Sequence, residues 1–354
     1  MKKFISLALV AVMVLSMSLF MASCGGDKDK EEAGGDKAKN EKVQITGVIA
    51  TNLGDMSFND SAKAGLDELE AAGYTVNTTE CNTEEKQYEP QLRTAAENSE
   101  IVVGVGSELT MIDKVADDYP DVKFIWVDNP APNPEKHPNL TSILYAQNEG
   151  SYLVGYIAGS LTETGVVGFI GGADIPVIND FRVGYEQGAK QAGKDLGKDV
   201  KVVKGYTGDW SDTNLGAEWG QTLHGQGADI IFCAAGGSGN GAIMKAKDLG
   251  YKCIGVDQDQ RITLGDGKYQ DVILCSMIKN VHKSIVDYIN DFYEDDSKWL
   301  GGGVMNAGLD GGYVEVAYGD KDMDMLVPED VLKALDEQIE KIAGGKIKVD
   351  TVMK

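Results

Sequence analysis

The chain has 354 residues, 42% of them hydrophobic, and its 56 Asp and Glu outnumber its 33 Lys and Arg. The resulting net charge of −23 argues against nucleic acid or anionic lipid as the main partner, because both are bound through basic patches. With three His and no spacing typical of zinc ligands, we expect neither a metal nor another cofactor.

The first 23 residues have the pattern of an export signal. Two lysines precede an almost unbroken apolar run, residues 4–21, and two small residues then lead directly into Cys24. This arrangement resembles the bacterial lipobox, in which the signal is cleaved before the cysteine and the thiol is acylated. We therefore expect a signal peptide at 1–23 and a lipid anchor at Cys24, on the extracytoplasmic face of the cell membrane. The alternatives are a free thiol after a soluble-export signal and a membrane-spanning helix.

The segment 24–42 is rich in Gly, Asp, Lys, Glu and Ala and contains no apolar cluster, so it is predicted to be a flexible linker. The remaining length suits two domains better than one. We expect one lobe from residues 43–147 plus 279–305, and a second from 148–278 plus 306–345.

Short apolar runs recur along the rest of the chain and are predicted to be strands. They are 44–51, 101–106, 124–128, 141–146, 166–172, 201–207, 229–235, 253–257 and 272–278. Segments of helical period lie between most of them; in the first, Ala62, Leu66 and Leu69 share one face, and Asn59 could cap the helix. Buried strands that alternate with helices predict an α/β fold of two lobes, each a parallel sheet covered on both faces.

Glycine and polar residues cluster just after these strands. The clusters are 52–59, 104–107, 128–129, 171–172, 208–210, 236–241 and 257–260. In open α/β sheets the carboxyl ends of the strands are where ligands bind. Two sheets that face each other by those ends would enclose a cleft for a small molecule.

Several residues in these clusters have two interpretations. Phe58 either staples the following helix or stacks on a flat ligand, and Phe232 is either strand core or a second stacking ring. Asp128 and Asp257 each end an apolar strand, where they cap a helix or accept hydrogen bonds from a vicinal diol such as a ribose. Lys279 follows another strand and could neutralise one of them.

Catalysis finds less support. The chain has no GxSxG motif, and no His lies within three residues of a candidate nucleophile or an Asp–Glu cluster. Separated carboxylates leave a glycosidase open, but nothing points to one. We expect a binding protein and no enzymatic activity.

Five blocks of sequence carry a resemblance to a known family. They are GDMSFN at 54–59, NEGSYLVG at 148–155, GFIGG at 168–172, AAGGSGNG at 234–241 and IGVDQDQ at 254–260. In this order they resemble the basic membrane protein family, whose best-known branch is the purine nucleoside receptor A lipoproteins. The resemblance covers about residues 43–345.

The resemblance implies a type I periplasmic-binding fold and nucleoside capture for an ABC importer, with its permease and ATPase subunits as partners. It implies that two aromatic rings, Phe58 and Phe232, sandwich the base, and that Asn59, in the same block as Phe58, is also a ligand-binding residue. The ribose would be held by Asp128, Gly237, Asp257 and Lys279. Many members have an acid at the position of Asn52, where it contacts the base edge; an amide there can both donate and accept, so base preference can differ.

The expected function is therefore capture of a nucleoside, and specifically of a purine nucleoside, by a monomeric lipoprotein. One rival is a sugar- or furanone-binding protein on the same fold, which would not need a site for a flat base. A second is an extracellular hydrolase or nucleosidase, which would show turnover. A third is a surface adhesion or immunogenic lipoprotein whose cleft is vestigial.

Overall fold

The computed structural model describes residues 43–353, so the predicted signal peptide, linker and Cys24 lie outside the described residues. The strands are β1 Gln44–Ile49, β2 Thr75–Glu80, β3 Ile101–Val105, β4 Lys123–Val127, β5 Leu140–Tyr145, β6 Val166–Gly171, β7 Lys201–Tyr206, β8 Ile230–Ala234, β9 Lys252–Asp257, β10 Ile273–Lys279, β11 Val304–Ala307 and β12 Val314–Ala317. The helices are α1 Phe58–Ala71, α2 Glu85–Asn98, α3 Ile112–Asp118, α4 Gln147–Leu161, α5 Pro176–Leu196, α6 Thr213–Gly225, α7 Gly236–Leu249, α8 Gln260–Thr263, α9 Val281–Glu294 and α10 Glu329–Ala343.

The strands form two six-stranded sheets, with the orders β11-β5-β4-β3-β1-β2 and β12-β10-β9-β8-β6-β7. The first is parallel throughout, and in the second only β12 runs antiparallel to its neighbour β10. Central strands such as β3 and β10 are buried along their whole length, as expected for sheets covered on both faces. The predicted α/β fold of two lobes is confirmed.

All nine predicted strands are present, and the structure adds β2, β11 and β12. Each of the three lies at the edge of a sheet. Strand β2 has the sequence TVNTTE and no fully buried residue, while β11 and β12 have four residues each. Edge strands of this kind lack the continuous apolar run by which the other strands were predicted.

The chain crosses between the lobes three times. Strand β5 of the first sheet leads into α4, which packs against α5 of the second lobe, and β10 of the second sheet leads into α9, which packs against α1. The third crossing connects β11 to β12. Because β11 ends at Ala307, this crossing lies after that residue and not at 305, which was the expected boundary.

Helices α4 and α5 approach each other closely because glycines face the neighbouring backbone. A Cβ added at Gly184 or Gly188 would lie 2.0 Å from the carbonyl oxygen of Asn148 or Tyr152, respectively. No side chain fits at that distance. This contact fixes α5, whose N-terminal half reaches the space between the two sheets.

Two further findings concern the described residues 43–353. The four cysteines among them are free and buried. Three of them lie in the buried strands β8, β9 and β10. None of the helices in this part of the chain is both long enough and apolar enough to cross a membrane.

Candidate functional site

A cavity lies between the lobes at the carboxyl ends of the strands, where the clusters of polar residues predicted a cleft. Its empty space is about 630 Å³, including its opening to solvent. It is lined by Ala50, Thr51, Asp55, Phe58, Asn59, Val105, Gly106, Ser107, Glu108, Asp128, Val177, Ile178, Phe181, Trp210, Ala234, Gly236, Val256, Asp257 and Lys279. A concave site with a mixed apolar and polar lining of this kind is typical of small-molecule sites.

The loop after β1 is organised by Asp55. Its buried carboxylate accepts the backbone N–H groups of Ser57, Asn59 and Asp60 at 2.9 to 3.1 Å and so caps the start of α1. Asn59 was expected to cap this helix, but it lies in the first turn and donates to Thr51 Oγ1 at 2.7 Å. The cap lies earlier because the helix already begins at Phe58.

Asp128 and Asp257 occupy equivalent places in the two lobes, at the ends of β4 and β9. Their φ angles are 77° and 65°, in the left-handed region that residues other than glycine seldom adopt. Helix capping was the alternative role for both residues, but neither side chain caps a helix. The helix after β9, α8, is capped by Asp259. Strained backbone of this kind is concentrated at ligand sites, and both carboxylates line the cavity.

Lys279, at the end of β10, brings a buried cation to these carboxylates. Its side chain is 1% exposed, and its Nζ lies 2.5 Å from Asp128 Oδ1. Three aromatic rings surround the same atom, those of Tyr145, Phe58 and Phe181, with centroids at 4.9, 5.0 and 5.3 Å. An ammonium has three donors, so Asp128 leaves part of its capacity for a ligand.

The cavity is acidic, because four carboxylates and one lysine line it. Burial raises the pKa of Asp257 to about 7 and that of Asp55 to about 6. It also raises the pKa of Asp128 and of Glu108. Lys279 opposes the shift at both Asp128 and Asp257, which marks these three residues as one electrostatic unit.

Side chains of the second lobe hold the loop after β1. Three of its side-chain amides donate to backbone carbonyl oxygens of this loop. Asn240 donates to Asp55 at 2.8 Å, Gln258 to Ser57 at 2.9 Å and Gln260 to Met56 at 3.2 Å. In addition, the Ser57 hydroxyl donates to Asp257, and Ser211 Oγ donates to Asn52 Oδ1 at 2.8 Å. These bonds close the two lobes on each other around the cavity.

Aromatic rings from both lobes line the cavity. Phe58 belongs to the first lobe, and Phe181 on α5 belongs to the second; both lie about 5 Å from Lys279 Nζ. Trp210, after β7, is the third ring, and it packs so tightly on Gly172 that a Cβ there would lie 2.1 Å from the indole. A flat ligand could therefore stack beside the buried ammonium.

Phe232, expected as the second stacking ring, lies elsewhere. It is 0% exposed and packs in the core against Phe169, Phe181 and Tyr185, with ring centroids 5.8, 6.3 and 5.3 Å away. The physical reason is its position two residues before the end of β8, where the side chain points into the layer beneath α5. The second-lobe phenylalanine of the cavity is Phe181.

Asn52 and Gly237 lie beside the cavity and do not line it. Asn52 is at the rim, where Ser211 holds its side chain. Gly237 is in the first turn of α7, where an added Cβ would lie 3.1 Å from Trp210 O and 3.8 Å from Asp55 Cα. The tight contact is thus with Trp210 of the same lobe, and the distance to Asp55 of the other lobe is an ordinary van der Waals contact.

Among the lining residues that were not predicted, four have acidic or aromatic side chains, namely Asp55, Glu108, Phe181 and Trp210. Asp55 and Trp210 belong to the polar clusters after β1 and β7, so their neighbourhood carried the signal. Glu108 follows the cluster at 104–107 by one residue. Phe181 falls at helical period with Val177 and Tyr185, and this period gives no sign that the first turns of α5 reach the cavity.

Comparisons with known proteins agree with this architecture. The model of the Bmp family, described as ABC transporter substrate-binding protein PnrA-like, matches residues 42–351. A CD4+ T-cell-stimulating antigen of Listeria innocua is 32% identical over 363 residues, with 97% of each chain covered. Basic membrane protein A of Borreliella burgdorferi is 28% identical, with 96% of this chain and 94% of that protein covered.

Solved structures show the same fold. An ABC transporter system solute-binding protein from Aeropyrum pernix K1 superposes with a TM-score of 0.77 at 24% identity, over 86% of this chain and 92% of that one. A solute-binding protein from Conexibacter woesei superposes with a TM-score of 0.69 at 23% identity. At these identities the likeness concerns the two-lobed architecture alone.

Proposed function

Because the chain belongs to the Bmp family of PnrA-like ABC transporter substrate-binding proteins, we propose that the molecule it delivers is a nucleoside. The observation that carries this proposal is the joint position of Lys279, Asp257 and two phenylalanine rings in one closed cavity. Carboxylate and ammonium together match a vicinal diol, which both donates and accepts. Rings beside them match a flat base, and stacking is worth about 1–3 kcal/mol per base.

The charge of the cavity narrows the ligand further. Four carboxylates and one lysine line the cavity, so a phosphate group would meet repulsion from every carboxylate that is ionised, which a neutral nucleoside avoids. Hydroxyl and N–H donors of the ligand would offset the burial of these carboxylates. We therefore expect nucleosides to bind and the corresponding nucleotides to be rejected.

The proposed setting is the outer face of the cell membrane. A lipid on Cys24 would hold the protein there, and residues 25–42 would act as the tether between the anchor and the folded lobes. Permease and ATPase subunits of an ABC importer complete the proposed partners, as the family implies.

Isothermal titration calorimetry tests the ligand. The chain from residue 25, which retains the complete fold of residues 43–353, is unfolded and refolded to remove any retained ligand and is then titrated with nucleosides, free bases, nucleotides and pentoses. We expect a nucleoside to bind with a micromolar or lower Kd, about −8 kcal/mol or better. Phe58→Ala and Asp257→Ala should abolish that binding, and the exposed control Asp121→Ala should leave it unchanged.

Other outcomes would contradict the proposal in different ways. Binding of a pentose or another sugar without any nucleoside would preserve the role in transport and reject the ligand. Turnover of a bound nucleoside into base and sugar would identify the hydrolase instead. Equal affinities for a nucleoside and its 5′-phosphate would reject the argument from charge.

A further inference from the structure

Glu108 differs from the other carboxylates of the cavity in having no ion partner or helix to hold it. Asp55 caps α1, whereas Asp128 and Asp257 share Lys279. In residues 43–353, no ion pair includes Glu108. The donors near it are its own backbone N–H, the Ser107 hydroxyl and the Trp210 side chain, all of them neutral.

The order of the strands places Glu108 further from the crossings between the lobes than the residues proposed to hold the ribose. Asp128, Asp257 and Lys279 lie at the carboxyl ends of β4, β9 and β10, on the side of the sheets where the chain crosses between the lobes. Glu108 follows β3, one strand further from that side. A nucleoside whose ribose contacts the first group therefore extends its base towards Glu108.

Asn52 places an amide, and not an acid, after the strand that neighbours β3. It follows β1, the strand beside β3, and its side-chain oxygen accepts the Ser211 hydroxyl at the rim. Glu108 lines the cavity, whereas Asn52 does not. An acceptor-only group for the base edge therefore comes from the end of β3.

We infer that Glu108 determines base specificity and selects purine nucleosides with adjacent N–H donors at N1 and C2, the guanosine class. This inference rests on the proposed function. A carboxylate has two oxygens that accept only, so it matches the N1–H and 2-amino group of guanine as a bidentate pair. Inosine lacks the 2-amino donor. Adenosine presents an acceptor at N1, which a carboxylate repels.

The test compares guanosine, inosine and adenosine by calorimetry on the refolded protein and on Glu108→Gln. The amide of the variant accepts from one ligand atom and donates to another, so it fits the 6-amino group and N1 of adenine. We expect the wild type to prefer guanosine over adenosine, and the variant to lower this preference by about tenfold to a hundredfold. The matched control is Glu85→Gln, the same change at an exposed glutamate outside the cavity in the adjacent groove.

Three outcomes would overturn the inference. Wild-type affinity for adenosine that equals or exceeds that for guanosine would show that the carboxylate does not select donors. Equal weakening of all three nucleosides by Glu108→Gln would show that Glu108 only helps to close the lobes through Trp210. Absence of binding by any nucleoside would reject the proposed function itself, and with it this inference; the first two outcomes leave that function standing.

Discussion

Replacing Lys279 by Met should destabilise the protein in a pH-dependent way. Methionine keeps most of the apolar stem, so packing changes little, but Asp128 loses the cation that faces it at 2.5 Å. Removing one partner of a buried ion pair leaves a charge that is neither solvated nor compensated, which typically costs about 3–5 kcal/mol. The same variant removes the ammonium that we propose to contact the ribose.

The part of this cost that falls on Asp128 has an upper limit, because that carboxylate can take up a proton. Its ordinary pKa is 3.8, so protonation at pH 7 costs about 4 kcal/mol, at 1.36 kcal/mol for each pH unit above that pKa. At pH 5 the same limit is about 1.6 kcal/mol. The folded variant then holds a proton that the unfolded chain releases, so its free energy of unfolding falls as the pH rises from about 4 to 7.

Urea unfolding at pH 5 and pH 7 measures this effect. We expect Lys279→Met to lose more stability at pH 7 than at pH 5. Lys279→Met/Asp128→Asn should recover the part of the loss that Asp128 causes, because neither charge of that pair remains, while Asp257 still lacks the lysine. Lys283→Met is the matched control, since Lys283 pairs with Asp287 at a site where both side chains are more than a third exposed, worth about 1 kcal/mol or less. An equal loss at both pH values, or a double variant no more stable than the single one, would refute the reasoning.

Three further predictions concern the cavity and the helix pair. Ligand affinity should fall as the pH drops below about 7, by up to about tenfold per pH unit. The reason is that the ligand's hydroxyl donors need Asp257 to be ionised, and its pKa is raised to about 7. Calorimetric titration of Asp257→Asn should show weaker binding that depends less on pH. Phe181→Ala should abolish binding, because its ring lines the cavity. Phe232→Ala should chiefly lower the free energy of unfolding, by about 3–5 kcal/mol, because its ring is buried in the core. Equal effects of the two variants on binding would contradict these roles. Gly188→Ala should cost about 1–3 kcal/mol by urea unfolding and Gly225→Ala should cost nothing, because only the first has a carbonyl oxygen 2.0 Å from the added Cβ.

The strands that could be predicted from the sequence are those buried on both faces. Strand β3, with the sequence IVVGV, is apolar throughout because helices cover both of its faces. Strand β2 pairs with β1 at one edge only, and its threonines tolerate solvent on both sides, so no apolar run marks it. Edge strands depend on a partner strand distant in sequence, which local patterns do not reveal.

The residues of the site also divide into those that the local sequence predicts and those that it does not. Asp128, Asp257 and Lys279 could be predicted to face the cleft because each ends an apolar strand, and the structure brings all three to the cavity. Phe181 could not, because a helical residue that faces a cavity has the same period as one that faces the core. The close approach of α4 and α5 decides where Phe181 lies, and it depends on tertiary contacts between glycines and carbonyls.

A crystal structure of the refolded protein grown with guanosine would test the central claim most directly. The account predicts a nucleoside in the cavity between the lobes, its base between Phe58 and Phe181 and its ribose hydroxyls within hydrogen-bonding distance of Asp257 and Lys279. An empty cavity at saturating guanosine, or a nucleoside bound with its ribose away from both residues, would contradict it.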